Sequence, residues 1–257
     1  MRITRNSSCG FNKTARELKE TILKGLFPLF ILCLFQSLHG QNRISADVTL
    51  RQLANNKVLR IEKHIAFQSD GKMTVHYLYP YEYFFVTNNL GENATYLPSE
   101  NEVMFSNNKE QSPQNEMFTL FLSPGYSELN LTDEGFVLQQ LYKEEGRIVK
   151  TFSASDKTSA GYMFAKVVCE KDRPIYCDFA DKAKNIMKKI YFTDYISDSW
   201  LTFPRCVTQI TYNNQGDSVI TKEEYKNICT EGCSADTLFD FTVPVSAKRV
   251  SPYNFKQ

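Results

Sequence analysis

Residues 57–79 read KVLRIEKHIAFQSDGKMTVHYLY, and their alternation decides the fold class. Leu59, Ile61, Ile65 and Phe67 fall at odd positions, while Arg60, Glu62, His64 and Gln68 fall at even ones. A period of two is that of a strand with one apolar face. After Ser69-Asp70-Gly71 the chain resumes with Met73, Val75, Tyr77 and Tyr79 on one face. A two-residue Asp70-Gly71 turn sets the apolar face of one strand beside the polar face of the next. A three-residue Ser69-Asp70-Gly71 loop with Gly71 left-handed instead opposes Phe67 to Met73, Ile65 to Val75 and Ile61 to Tyr79. The three-residue loop keeps one continuous apolar face and is the predicted geometry.

Strand signals recur on both sides of the helix-like stretch described below. Pro80 ends the second strand, Tyr83–Val86 begins a third before the Asn88-Asn89 turn, and Thr95–Leu97 pairs with Glu102–Phe105 across residues 98–101. Further strands are expected around Phe136–Tyr142, Tyr162–Cys169, Ile190–Phe192, Val207–Tyr212 and Val219–Tyr225, with a last one over Leu238–Pro244. Lys182–Lys189 reads as an exposed charged connection. Strands at this spacing make a mainly β protein whose sheet curls into a barrel or half-barrel, or splits into a sandwich.

Residues 112–122 break the pattern. Ser112 is a cap, Pro113 suits the first helical position, and Met117, Phe118, Leu120, Phe121 and Leu122 make a short helix stopped by Pro124-Gly125. A helix apolar nearly all round is either buried on several sides or covers an apolar opening.

The N-terminal segment carries Arg2, Arg5, Lys13, Arg16, Lys19 and Lys24, then the apolar run Gly25–Phe35, then a short polar exit to Gln41. This is the pattern of a cleaved secretory signal, and the run is short of the roughly 20 residues that span a bilayer. Residues 1–41 are therefore expected to be a signal peptide and residues 42–257 a single domain. Of 30 basic and 29 acidic residues, 24 and 27 then remain. No basic stripe is left for a nucleic-acid partner. Cys169, Cys177, Cys206, Cys229 and Cys233 stay in an oxidising compartment, where Cys229–Cys233 or Cys169–Cys177 is the expected pairing.

Catalytic signatures are not found: no Gly-x-Ser-x-Gly, phosphate loop, dinucleotide glycine pattern or His-Glu-x-x-His occurs. The chain reads as a binding protein, not an enzyme, without cofactor or metal. The hairpin register sets His64 opposite His76 on the polar face, where a solvated cross-strand pair is preferred over a two-nitrogen metal site. Asp172, Asp178 and Asp181 fit no helix face or metal loop and read as a solvated connection.

GKMTVHYLYP at 71–80, YFFVTNN at 83–89, the hairpin over Tyr96–Val103 and LFDFTVPVSAKRV at 238–250 together resemble the periplasmic outer-membrane lipoprotein carrier (LolA-like) family. The resemblance runs over about residues 44–250. It implies a strongly curved antiparallel sheet, an unclosed half-barrel, with short helices covering a concave apolar face that receives acyl chains. The ligand face then comprises Leu59, Ile61, Ile65, Phe67, Val75, Tyr77, Tyr79 and Phe85, and the lid Met117, Phe118, Leu120 and Phe121. In that family an inner-strand arginine latches the lid, whereas Gly71–Pro80 holds only Lys72 at its edge. The expected partners are lipid or lipoprotein acyl chains bound by a periplasmic monomer, with an envelope-protein scaffold as the alternative.

Overall fold

The hairpin is as the sequence predicts near its turn. In the computed structural model, which describes residues 43–108, 117–156, 161–198, 200–213, 217–230, 233 and 236–251, β2 (Lys57–Gln68) and β3 (Met73–Tyr79) pair antiparallel. Phe67 opposes Met73, Ile65 opposes Val75 and His64 opposes His76. The Gln68 and Gly71 amides donate to Lys72 O at 2.9 Å and Gln68 O at 2.8 Å, and Gly71 sits at φ +88°. At that φ glycine is favoured, and an added Cβ would in addition displace the Asn89 side chain, which lies 1.8 Å from its position.

Farther from the turn the expected register is corrected. Tyr79 pairs with Glu62 and not Ile61, because the ladder shifts between Glu62 and Lys63. The extra residue, Leu78, turns Tyr79 to the polar face.

The described residues belong to one compact unit, Asn42–Gln257. Its single sheet has fourteen strands in the order β14-β6-β5-β4-β3-β2-β1-β13-β12-β11-β10-β9-β8-β7. Besides β2 and β3, these are β1 (Arg43–Ala54), β4 (Tyr83–Thr87), β5 (Glu92–Leu97), β6 (Glu102–Asn107), β7 (Phe136–Glu144), β8 (Arg147–Ala154), β9 (Phe164–Glu170), β10 (Arg173–Ala180), β11 (Ile186–Ser197), β12 (Thr202–Tyr212), β13 (Ser218–Cys229) and β14 (Lys248–Arg249). The sheet is strongly curved and is not closed into a barrel. Every ladder is antiparallel except β14 on β6. Two meanders, β1 to β6 and β7 to β13, meet where β1 pairs with β13.

This topology fixes where the helix must lie. The chain leaves β6 near one edge and re-enters at β7, the other edge, so the connection crosses a face of the sheet. It carries the helix α1 (Met117–Leu122) and a 3₁₀ turn, Tyr126–Glu128. A crossing segment is stable only if its apolar side chains meet the apolar face. Phe118, Phe121, Leu129 and Leu131 are indeed buried in one cluster with Ile44, Val48, Ile65, Val75, Phe152, Val167, Phe192, Phe203 and Tyr225. Ser112 and Pro113 lie outside the described residues.

Three expectations about the second half are corrected. Leu238–Pro244 is not a strand: Thr237–Asp240 is a 3₁₀ helix and residues 241–244 are irregular. Phe239 and Phe241 are drawn to Ala66 and Phe84 on the convex face, so packing overrides their strand propensity. Ile186–Lys189 belongs to β11 and not to a connection. Asp178 is not solvated; it is buried in β10 and ion-paired with Lys166 at 3.1 Å. β1, β8, β10 and β14 are strands beyond those the sequence reading names.

Candidate functional site

Pairing assigns the concave face row by row. Ala46, Ile65, Val75 and Phe85 form one row across β1 to β4. Val48, Lys63, Tyr77 and Tyr83 form the next. Ile65 and Val75 are 0% and 1% exposed, and Phe67 is buried. Tyr77 and Phe85 are partly buried against the same cluster. Leu59 and Tyr79 project out of it at 46% and 51% exposure, and Ile61 is half-buried. For Leu59 the reason is position at the strand's far end; for Tyr79 it is the shift at Leu78.

The α1 residues expected as a lid come together over β11 to β13. Phe118 stacks on Phe203 with centroids 4.7 Å apart and meets Tyr225 edge-on at 5.5 Å. Phe121 meets Phe203 edge-on at 5.5 Å and Phe192 at 5.7 Å. Met117 and Leu120 are partly buried beside them. Phe203, Phe192 and Tyr225 lie on three different strands, and sequence alone does not say that they are the floor under α1.

A lysine ties down the crossing segment. Lys150 on β8 is 9% exposed, and its Nζ donates to Glu128 Oε1 at 3.1 Å and Ser127 Oγ at 3.4 Å. Cys169 Sγ donates to Ser127 O at 3.2 Å. Burial pushes the Cys169 thiol above its usual range, so it stays a protonated donor. Lys72 works on the other face, donating to Phe239 O at 3.0 Å and Phe241 O at 3.1 Å.

At the end of the apolar rows the Tyr77 and Tyr83 rings stack at 4.2 Å, with Lys63 Nζ 5.8 Å from the Tyr77 centroid. Burial, then the neighbouring Tyr77, hold the Tyr83 hydroxyl far above its ordinary pKa.

The convex face carries a different cluster. His64 Nδ1 lies 2.6 Å from Asp47 Oδ1 and its Nε2 2.6 Å from Asp236 Oδ2. Burial disfavours the imidazolium, but Asp236 and Asp47 outweigh it and raise the His64 pKa above 6.5. Burial likewise works against ionised Asp47 and Asp236, but His64 together with Asn227 at Asp47, and His64 together with Leu238 N and Ser45 at Asp236, outweighs it and lowers both pKa values. His76 instead bonds Glu82 at 2.9 Å and stacks on Phe84 at 4.1 Å. The two histidines are opposite, but their nitrogens face separate carboxylates. Among the described residues no group of three or more His, Cys, Asp or Glu is arranged to hold a metal.

Cys229 and Cys233 form a disulfide, while Cys169, Cys177 and Cys206 are free thiols. Cys169–Cys177 is not the pairing: both are free and buried, and the register of β9 on β10 sets Cys169 opposite Pro174 and Cys177 opposite Val167. In a chain starting at Asn42, a thiol reagent should label one cysteine, Cys206, before unfolding and two more afterwards. Fast labelling of all three would contradict the burial.

No family model matches the sequence, and no curated protein matches it. Solved structures do. A DUF1329 family protein from Desulfovibrio piger is similar with 14% identity and a TM-score of 0.51 over 79% of this chain and 92% of that chain. A LolA superfamily protein from Nitrosomonas europaea is similar with 11% identity and a TM-score of 0.48 over 77% of this chain and 90% of that chain. An outer membrane lipoprotein-sorting protein domain from Vibrio parahaemolyticus has 14% identity and a TM-score of 0.48 over 79% and 91%. These likenesses are of fold alone, and the chain shares the fold of the Desulfovibrio protein.

Proposed function

We propose that this chain is an exported periplasmic carrier or sensor that holds acyl chains of a lipid or lipoprotein on the concave face without covalent chemistry. One observation carries the reading. The apolar face of a single sheet is crossed by a six-residue helix and a loop instead of a second sheet. Such a roof, held by a few aromatic contacts and the Lys150–Glu128 pair, is the kind of element that opens locally while the sheet stays intact. Ile65, Phe67, Val75, Tyr77 and Phe85 then form the ligand surface, and Met117, Phe118, Leu120 and Phe121 the lid; Leu59 and Ile61 stand at its margin, and Tyr79 is turned to the other face. Residues 1–41 serve as the export signal, consistent with their basic and then apolar pattern.

Native mass spectrometry of protein purified from its own envelope should show a lipid adduct, and a fluorescent acyl probe should bind the stripped protein. Absence of both ends the carrier reading. Lys150→Met removes the tie while keeping the stem, so probe uptake should quicken about threefold to tenfold with little change in affinity. Unchanged uptake would mean that the roof does not open at that contact.

A second reading, a scaffold for an envelope protein, is favoured by β7. Among the described residues no strand pairs with its outer edge, and Val137, Leu138, Leu141 and Tyr142 are 51%, 42%, 60% and 42% exposed. An exposed apolar edge is a template for strand addition. In that case the probe stays free and a pull-down recovers one stoichiometric protein.

A further inference from the structure

Across β1, β13 and β12 the usual alternation of a sheet is inverted at one end. The register sets Gln52 on β1 beside Thr221 on β13, and Thr221 beside Gln209 on β12. Thr211, two residues on along β12, stands beside Lys188 on β11, and Lys188 beside Phe179 on β10. Val48, Val207 and Cys177, each an even number of residues away on β1, β12 and β10, belong to the buried cluster of the concave face, so these polar side chains share that face. The intervening Leu53, Ile220 and Ile210 stand side by side on the outer face, with Leu53 41% exposed. A sheet that only builds a core keeps aliphatic side chains inside and polar ones outside. Three neighbouring strands here do the opposite.

Lys188 is the extreme case. Its side chain is half-buried, and among the described residues its ammonium has no hydrogen bond or ion pair, only the Phe179 ring, with Nζ 5.8 Å from the centroid. Burial lowers its pKa below 10.5, offset in part by Cys177, and no carboxylate contributes. A half-buried cation without a counter-charge is costly. The hydroxyls near it keep their protons for a ligand: Thr211 Oγ1 accepts from Gln209 Nε2 at 3.2 Å, and Thr221 Oγ1 accepts from Gln52 Nε2 at 3.4 Å. One unpaired cation and two hydroxyl donors on a common face suit an oxyanion.

We infer that Lys188, Thr211 and Thr221 form a head-group subsite for the carboxylate or phosphate of an anionic amphiphile, whose hydrocarbon tail runs past Ile190 toward the floor beneath α1. This rests on the acyl-binding reading above and adds to it a charge preference and a direction. Ile190 and Phe192 follow Lys188 on the same face of β11, and Phe192 meets Phe121 of α1. Lys188 to Phe192 spans roughly 13 Å of strand, so an acyl chain anchored at the ammonium reaches under the helix.

The test uses cis-parinaric acid and its methyl ester, which share a fluorescent tail and differ in head-group charge, at about pH 7.5, where the carboxylate is ionised. The acid should bind about tenfold tighter than the ester. Lys188→Met, which keeps the stem and removes the charge, should abolish that difference without weakening the ester. Thr211→Val should remove part of the preference, about threefold. In the ligand-free protein Lys188→Met should leave the urea midpoint unchanged or raise it, because it removes a cation that nothing in the described chain pairs. Inorganic phosphate alone should not displace the acid, because the tail supplies most of the binding. Equal binding of acid and ester, a preference that survives Lys188→Met, a lowered urea midpoint in that variant, or displacement by free phosphate would overturn the subsite while leaving acyl binding in place. Failure of both probes to bind overturns the acyl reading and the subsite with it.

Discussion

Phe203→Ala should lower folding stability by about 4 kcal/mol, the largest effect expected of any single truncation. Phe203 is 0% exposed and lies at the crossing of two systems. As a β12 side chain it belongs to the sheet's floor, with Tyr225 edge-on at 4.9 Å. It also receives Phe118 at 4.7 Å and Phe121 at 5.5 Å from α1. Truncation leaves a void that aromatic rings on a curved sheet cannot close, because each is held by its own partners. The cost is a large part of the roughly 5–15 kcal/mol that a domain commands. Urea unfolding measures it, with Leu141→Ala on the exposed edge strand as a comparison expected within about 0.5 kcal/mol of the parent. Hydrogen exchange should also quicken in residues 117–131 more than in β1 and β2, since the helix loses its floor. If Phe203→Ala costs no more than Leu141→Ala, the packing of α1 on β12 is not as described.

His64→Ala should cost about 2–3 kcal/mol near neutral pH and should change how stability responds to pH. Only the imidazolium can donate from both nitrogens, one to Asp47 and one to Asp236; a neutral ring satisfies one carboxylate and sets a lone pair against the other. Asp236 in turn accepts from Leu238 N at 3.0 Å and so caps the 3₁₀ helix of the C-terminal strap. Ser45 donates to Asp236, and Asn227 donates to Asp47 Oδ2 at 2.6 Å. His64 therefore joins β1, β2 and the strap by charge.

Because its pKa is raised on folding, the stability it contributes is fully present below 6.5 and is lost as pH rises from there through the native value. Asp47 and Asp236 have lowered pKa values, so their contribution is present above 3.8 and is lost as pH falls through the native values. The parent should thus be most stable between these limits and weaken as pH rises above them. In His64→Ala the alkaline decline should vanish, as read from urea midpoints across pH. An undiminished alkaline decline in the variant would assign it to other groups.

The hairpin at 57–79 was legible because its pattern and its turn agree: only a three-residue loop keeps Phe67, Ile65, Met73 and Val75 on one face. The Cys229–Cys233 disulfide was legible as one of two pairings, the close spacing matching the bond formed. Tyr79 was misplaced because a bulge at Leu78 leaves no mark in a strand of aromatic and aliphatic residues. The C-terminal Phe239 and Phe241 carry strand propensity, yet the convex surface of Ala66 and Phe84 draws them into a strap. Asp178 looked solvated because its partner, Lys166, lies on the neighbouring strand, twelve residues back along the chain.

By itself the sequence determined that the chain is built of strands, which side of the central hairpin is apolar, and that a short greasy helix interrupts the series. These are local properties, written in a period of two and in its one clear exception. Only the tertiary structure decided that β1 joins β13, that the connection from β6 to β7 must cross the sheet, and that Phe203, Phe192 and Tyr225 therefore lie beneath Phe118 and Phe121. Likewise it alone set Lys63 beside Tyr77 and Tyr83, and His64 between Asp47 and Asp236. Residues far apart in sequence meet by register and crossover, and a strand's own pattern tells which face a side chain takes but not which strand will stand next to it.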